Sequence, residues 1–301
     1  MRNVFTSLAY LAAAALAGVV LCAGPLPQIG RGGGGAGPVA IAIGDGREAL
    51  VLMADGRVAT IDTASGAIGR DIYRVPDSVT PIDLAAGRTK DGTILCLTVN
   101  PKSGNRPSSL LQVFGDGRSV STPLLARGVY VGVAVDAGGG VAYVANSSNN
   151  VVYRLRLGEE KGIAGEVATL AGRIGTIALD EAGKRLFVSD WAVSRLHIVS
   201  LLGWPPKSIP LAGISDVRAL AWSPADNRLY VADSGREAVW SVDPATASVQ
   251  PAFKDARFRA PSGLAFAGDG TLWMVDEAAR GAFQLSIGDR RVLRALRWGR
   301  Q

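Results

Sequence analysis

The sequence predicts an all-β fold: a six-bladed β-propeller of four-stranded antiparallel blades, preceded by a signal peptide and a Gly-rich linker. Three observations carry that expectation. A short run recurs, ending at Asn146 (AYVAN), Asp190 (LFVSD), Asp233 (LYVAD) and Asp276 (LWMVD), at intervals of 44, 43 and 43 residues. Two weaker copies, LVLMAD ending at Asp55 and LCLTVN ending at Asn100, precede them at intervals of 45 and 46. Around every copy the chain repeats one order of four short strands separated by polar turns, the signature of propeller blades. The connecting segments are short and rich in Gly, Pro, Asp and Ser, so they cannot supply the helices of about 10 to 15 residues that a parallel α/β fold requires. An immunoglobulin-like tandem would need about 100 residues per module.

At the N-terminus Arg2 supplies one positive charge, and Leu8 to Ala23 then runs for 16 residues without a charge. This reads as a secretory signal peptide, residues 1–23, with cleavage after Ala23. The apolar run is shorter than the roughly 20 residues of a membrane-spanning helix, so a membrane tether would require that the segment stay uncleaved. The VVL before Cys22 lacks the small residue that lipoprotein processing prefers, which makes lipidation the lesser reading. Residues 24–38 form the linker, because the consecutive glycines of IGRGGGGAGP lose too much backbone entropy on ordering. The propeller is expected over residues 39–298, in a periplasmic or secreted protein.

Cleavage leaves 31 basic residues against 26 acidic ones, a basic mature chain. Cys96 would be its one cysteine, so no intrachain disulfide forms even in an oxidising compartment. Its surroundings, TILCLTV, have strand composition and predict a buried, inert thiol. Stability then rests on the core, which the 48% hydrophobic content can supply.

Within each unit the first strand is nearly all apolar: IAIG, IDLA, VAVD, IALD, LAWS and LAFA. Such strands are expected where both faces of a sheet pack against neighbours, and the alanine in most of them suits a crowded position near a central axis. The second strand carries the recurring run. Segments such as VVYRL, RLHIV, AVWSV and AFQLS supply the third, and the more variable EVATLAG, KSIPLAG, SVQPAF and RRVLRAL supply the fourth. Closure into a ring removes most exposed strand edges. The stretches RALAWSPADNRLYVADSGREAVWSVD and SGLAFAGDGTLWMVDEAARGAFQLS resemble NHL and YVTN-type propeller repeats, a resemblance that covers all six units and is strongest in the last four. It implies the fold and leaves function open, because such propellers host scaffolds, lyases and lactonases alike.

Three sets of residues are candidates for chemistry. Asp55, Asn100, Asn146, Asp190, Asp233 and Asp276 look like a ring of polar ligands. Each stands before a turn, however, where a short side chain can hold the turn's backbone amides, and six symmetric copies argue for structure rather than for one active site. His197 is the sole histidine. Seven positions after each Asx residue stand Tyr153, His197, Trp240 and Phe283, so His197 occupies an aromatic packing slot rather than that of a general base. Zinc chemistry with several His or Cys ligands is excluded by composition.

The stretch LAWSPADNRLYVAD also resembles the gluconolactonase and regucalcin family, six-bladed propellers that bind a divalent cation on the axis. Two of that family's ligand positions fall on Arg218 and Ser262, so the resemblance implies that this cation site and its lactonase activity are lost. Streptogramin-type and amidating lyases on related propellers use more histidines than this chain has. No nucleophile elbow, phosphate loop, dinucleotide fingerprint or haem motif is present. No cofactor or metal is expected.

Propeller topology places the turns between strands two and three, and the connectors between blades, on one face. That face carries Arg57, Lys102, Arg106, Arg127, Arg173, Arg195, Arg218, Arg236, Arg257, Arg259 and Arg280, against the fewer acids Asp77, Asp216, Glu237, Asp255 and Glu277. The opposite face mixes signs, with Asp45, Asp91, Glu159, Glu160, Asp180, Asp226 and Asp269 beside Arg88, Lys161 and Lys184. A positive rim concentrates anionic partners, and Trp191 adds a stacking surface.

The expected function is a monomeric, exported, non-enzymatic scaffold. It would bind a protein or an anionic ligand through Arg173, Trp191, Arg195, Arg218, Arg236, Arg259 and Arg280. Nucleic acid is not an expected partner, for want of an aromatic platform interleaved with the charges. The competing expectation is a hydrolase or lyase, lactonase-like, with its site in the central channel.

Overall fold

The computed structural model describes residues 36–44, 47–89, 92–124, 126–136, 140–158 and 165–298. The expected signal peptide and cleavage site, Cys22 and most of the expected linker lie outside the described residues, as do Asp45, Asp91, Glu159, Glu160 and Lys161. Among the described residues, 24 strands form six four-stranded antiparallel sheets and there is no helix. Blades 1 to 6 span residues 38–74, 79–123, 130–169, 174–210, 217–254 and 261–297. Each consists of four consecutive strands in sequence order, with the first lining a central cavity and the fourth outermost.

Burial follows that order. In blade 5 the second strand, Arg228–Asp233, is buried at every position after the first, because both of its faces meet neighbouring sheets. The outermost strand of blade 1, Ile68–Arg74, is exposed at all but one position. Cys96 is fully buried, and burial pushes its thiol up to about 12, which keeps it protonated.

The ring closes without strand exchange, so no backbone ladder joins blade 6 to blade 1. Ile41, Val51 and Met53 of blade 1 pack with Trp273, Val275 and Ala282 of blade 6, and the Ser262 hydroxyl donates to the Pro38 carbonyl at 2.9 Å. Gly263 is required at this seam: a Cβ there would stand 2.9 Å from the Ile41 nitrogen.

Every first strand begins with a register shift. In blade 5 Val217 pairs with Asp233 and Ala219 with Ala232, so Arg218 is the extra residue of a β-bulge. The same offset falls between Pro38 and Ala40, Pro81 and Asp83, Ile174 and Ile177, and Pro261 and Gly263, and in blade 3 between Tyr130 and Gly132. Beyond the bulge the first strands align residue for residue around the axis. All six carry alanine at one level, Ala42, Ala85, Ala134, Ala178, Ala221 and Ala265, and all six residues line the cavity.

Candidate functional site

The start of each first strand pairs with the end of the second, so the turns between strands two and three and the connectors between blades share one face, here called the top. Asp190, Asp233 and Asp276 are fully buried there and fasten that face from within. Asp233 accepts from the Ser215 amide at 3.0 Å and hydroxyl at 3.1 Å, and from the Asp216 and Arg236 amides at 2.9 and 3.2 Å. Asp276 accepts from the amides of Arg259, Ala260 and Ala279 at 2.7, 2.9 and 2.8 Å. Asp190 accepts from those of Arg173 and Ala192, both at 3.1 Å. Each carboxylate therefore ties the turn of its own blade to the connector entering that blade.

Blades 1 and 2 depart from the aligned repeat. The residue that pairs across to the last position before the bulge is Met53 in blade 1 and Val99 in blade 2, where blades 3 to 6 have Asn146, Asp190, Asp233 and Asp276. Asp55 stands two residues past that position, exposed, with its carboxylate on the Arg57 amide and side chain at 3.2 and 2.8 Å. Asn100 stands one residue past it. A slip of one residue reverses the facing of a strand side chain, and Asn100 accordingly reaches forward to blade 3, donating to the Tyr130 carbonyl at 3.0 Å.

The rim residues fall into two groups. At the mouth of the channel, the Arg173 guanidinium lies 4.2 Å over the Trp191 ring, a cation–π contact. The ring packs against Gly175, the bulge residue of blade 4, where an added Cβ would stand 3.3 Å from the ring edge. Arg218 is the bulge residue of the adjacent blade 5. Its Nε donates to Asp216 at 2.9 Å and to the Ser234 hydroxyl at 3.3 Å, and the Ser234 hydroxyl donates to the same Asp216 oxygen.

Farther out, Arg195 opens the third strand of blade 4, half-buried. Arg236 is exposed on the turn of blade 5. Arg259 donates to its own connector, at the carbonyls of Ala256 and Phe258, at 2.7 and 2.9 Å. Arg280 closes the turn of blade 6 in a left-handed conformation, φ 52°. Several rim acids are engaged by arginine, Asp55 by Arg57, Asp216 by Arg218 and Asp255 by Arg257, and Arg57 also reaches Asp71 on the outermost strand of blade 1. The mouth itself is not ringed by arginine. Its bulge residues are Val39, Ile82, Val131, Gly175, Arg218 and Ser262, so the other rim cations stand on connectors, on turns and at the starts of third strands.

His197 is 2% exposed. It occupies the register of Tyr153, Trp240 and Phe283, each opposite the third residue from the end of the blade's second strand. Its Nδ1 lies 2.8 Å from the Ser208 hydroxyl, and its Nε2 lies 3.9 Å from Asp190. Burial lowers its pKa, opposed by the nearby Asp190 charge.

The channel contains the residue that sequence reasoning passed over. Its volume is about 300 Å³, and Asp83 of blade 2 is the one ionisable side chain among its described lining residues. The carboxylate accepts from the Leu84 amide at 2.9 Å and, across the seam to blade 3, from the Val133 amide at 3.1 Å. Burial lifts its pKa to about 6, against the pull of those two amides. The signal was present in the first strands: aligned on their common alanine, they place Asp83 in a column with Ala40, Gly132, Thr176, Ala219 and Gly263. Ser262, at one of the positions matching a cation ligand, spends its hydroxyl on the ring closure. Among the described residues no group of three or more His, Cys, Asp or Glu could hold a metal ion.

No family model and no curated protein matches the chain. Solved structures do. A chain of the nidogen/laminin complex superposes with a TM-score of 0.69 at 12% identity, covering 88% of this chain and 94% of the other. The chain has the fold of known six-bladed propellers. A catalytically inactive histidine-to-alanine variant of virginiamycin B lyase from Staphylococcus aureus, with quinupristin, gives 0.61 at 14% identity over 88% of this chain and 85% of that one. An auxiliary nutrient binding protein from Bacteroides thetaiotaomicron gives 0.62 at 12% over 82% and 68%. Likeness at such identities is a likeness of fold, and these neighbours include both binding proteins and a lyase.

Proposed function

We propose that this propeller is an exported binding scaffold that holds an acidic protein segment or another anionic partner on its top face. The observation that carries the reading is the Arg173–Trp191 stack at the channel mouth, beside Arg218. Only the Nε of Arg218 is committed among the described residues, which leaves its two terminal nitrogens to meet a carboxylate in the paired geometry that guanidinium favours. Arg236 adds an exposed charge on the same face. The neighbours described as a complex-forming or nutrient-binding protein are consistent with this role.

The lyase reading has less support. A variant of the lyase neighbour is inactive for want of a histidine, whereas His197 here is enclosed in an aromatic packing slot.

The test is retention on immobilised polyglutamate at low ionic strength. Combining Arg218→Glu with Arg236→Glu is expected to weaken retention at least about tenfold, with the circular dichroism spectrum unchanged. Equal retention by a folded double variant would overturn the proposal.

A further inference from the structure

The channel below that face is a separate place with a different chemistry. Asp83 stands near its top, partly accessible, with one backbone amide on each carboxylate oxygen. A carboxylate offers about four lone-pair positions, so acceptor capacity remains. Both donors are neutral, and among the described residues no cationic side chain lines the channel. Of the guanidiniums at the mouth, Arg173 lies on the Trp191 ring and Arg218 is held through its Nε by Asp216. A charge only partly open to water and without a counter-ion is held at a cost, which a cationic ligand reduces.

The remaining walls say which cation fits. At the level of Asp83 the other lining residues are Ala40, Thr176, Ala219 and Gly263, all small. Three residues farther along the strands, about 10 Å at the usual rise, the channel is lined by Trp222 and Phe266. The levels between are aliphatic. A volume of about 300 Å³ is at the small end of ligand pockets. A bare metal ion would need about six oxygen ligands, and Asp83 is the one carboxylate on the wall.

We propose that the channel binds a compact organic ammonium ion, with its charged end on Asp83 and its apolar body extended toward Trp222 and Phe266. This site does not depend on the rim reading. The carboxylate also joins blade 2 to blade 3 through the Val133 amide, and the test must separate that staple from binding. Asparagine keeps an acceptor for the staple and removes the charge.

Calorimetric titration of the full chain at pH 7.5 with phenethylammonium chloride, and with 2-phenylethanol as its neutral counterpart, makes the test. Saturable binding of the amine, at least about tenfold weaker for the alcohol and for Asp83→Asn, is the expected result. Equal binding of amine and alcohol, no binding of the amine at millimolar concentration, or full affinity in a folded Asp83→Asn variant would each overturn it. If that variant does not fold, the wild type decides: affinity for the amine should fall as pH drops through about 6, where Asp83 takes up its proton, and an affinity constant from pH 7.5 to 5 would refute the site. Arg236→Glu, which impairs the rim, should leave the amine titration unchanged.

Discussion

Blades 4 to 6 and blades 1 to 2 solve one mechanical problem in different ways. In the former, a fully buried aspartate, Asp190, Asp233 or Asp276, gathers amides from a turn and from the connector entering the same blade. In the latter, Met53 and Val99 occupy the corresponding position, 1% and 3% exposed, and pack as apolar side chains into the cores beside them. Blade 3 stands between, with Asn146 accepting from the Ser148 amide at 2.9 Å and donating to the Arg127 carbonyl at 3.2 Å. A turn can thus be fixed by polar bonds or by apolar burial, and only the first leaves a carboxylate in the sequence. The blades that lack this polar fastening also include the one that carries the channel's ionisable group, Asp83.

The comparison can be broken most directly at the carboxylates themselves. Asp233→Ala strands three backbone amides and a hydroxyl, and should cost about 4 kcal/mol in chemical denaturation, each orphaned donor costing roughly 1–3 kcal/mol at most. A loss below about 1 kcal/mol would mean that the turns hold without their carboxylates.

Next in size is Asp83. Its folded-state pKa, about 6, lies above the ordinary 3.8, so the folded protein binds the proton more tightly. The charged form then opposes folding above pH 6, by up to about 3 kcal/mol, and the cost is relieved as pH falls from 6 toward 3.8. Relative to Asp83→Asn, the wild type should gain melting temperature between pH 8 and pH 5. A parallel pH profile for the two proteins would remove Asp83 from that account.

His197 titrates in the opposite sense, because burial lowers its folded pKa below the ordinary 6.5. The unfolded chain binds the proton more tightly, so wild-type stability is lost as pH falls through 6.5. His197→Phe, which restores the residue type of Phe283, should fold and should lack that loss; melting curves at pH 8 and 5.5 compare the two. An unfolded variant would show that the slot requires the Ser208 contact rather than an aromatic ring.

The smallest effect is expected at Asp55→Ala. Its carboxylate is exposed and paired with Arg57, and surface pairs contribute about 0–1 kcal/mol. A loss as large as that of Asp233→Ala would contradict the assignment of Met53 to the equivalent position.

The sequence by itself determined the six units, the four strands of each and the packing slot of His197. Four short strands recurring about every 44 residues with polar turns between them match propeller blades, and the aromatic residues seven positions after the recurring Asx in the last four units expose a shared contact. It also held the Asp83 signal, in a column of small residues, though a lone acid in an apolar strand is easily passed over as variation. What only the tertiary structure decided was facing. One extra residue in each first strand and the slip of one residue in blade 2 change which way a side chain points, while the slip of two in blade 1 carries Asp55 past the strand end into the turn, and no local pattern records an insertion until the partner strand is laid beside it. For that reason Asp55 and Asn100 align with Asp233 in sequence but not in space, and the arginine-biased rim read from the loops surrounds a mouth whose six bulge residues include a single arginine, Arg218.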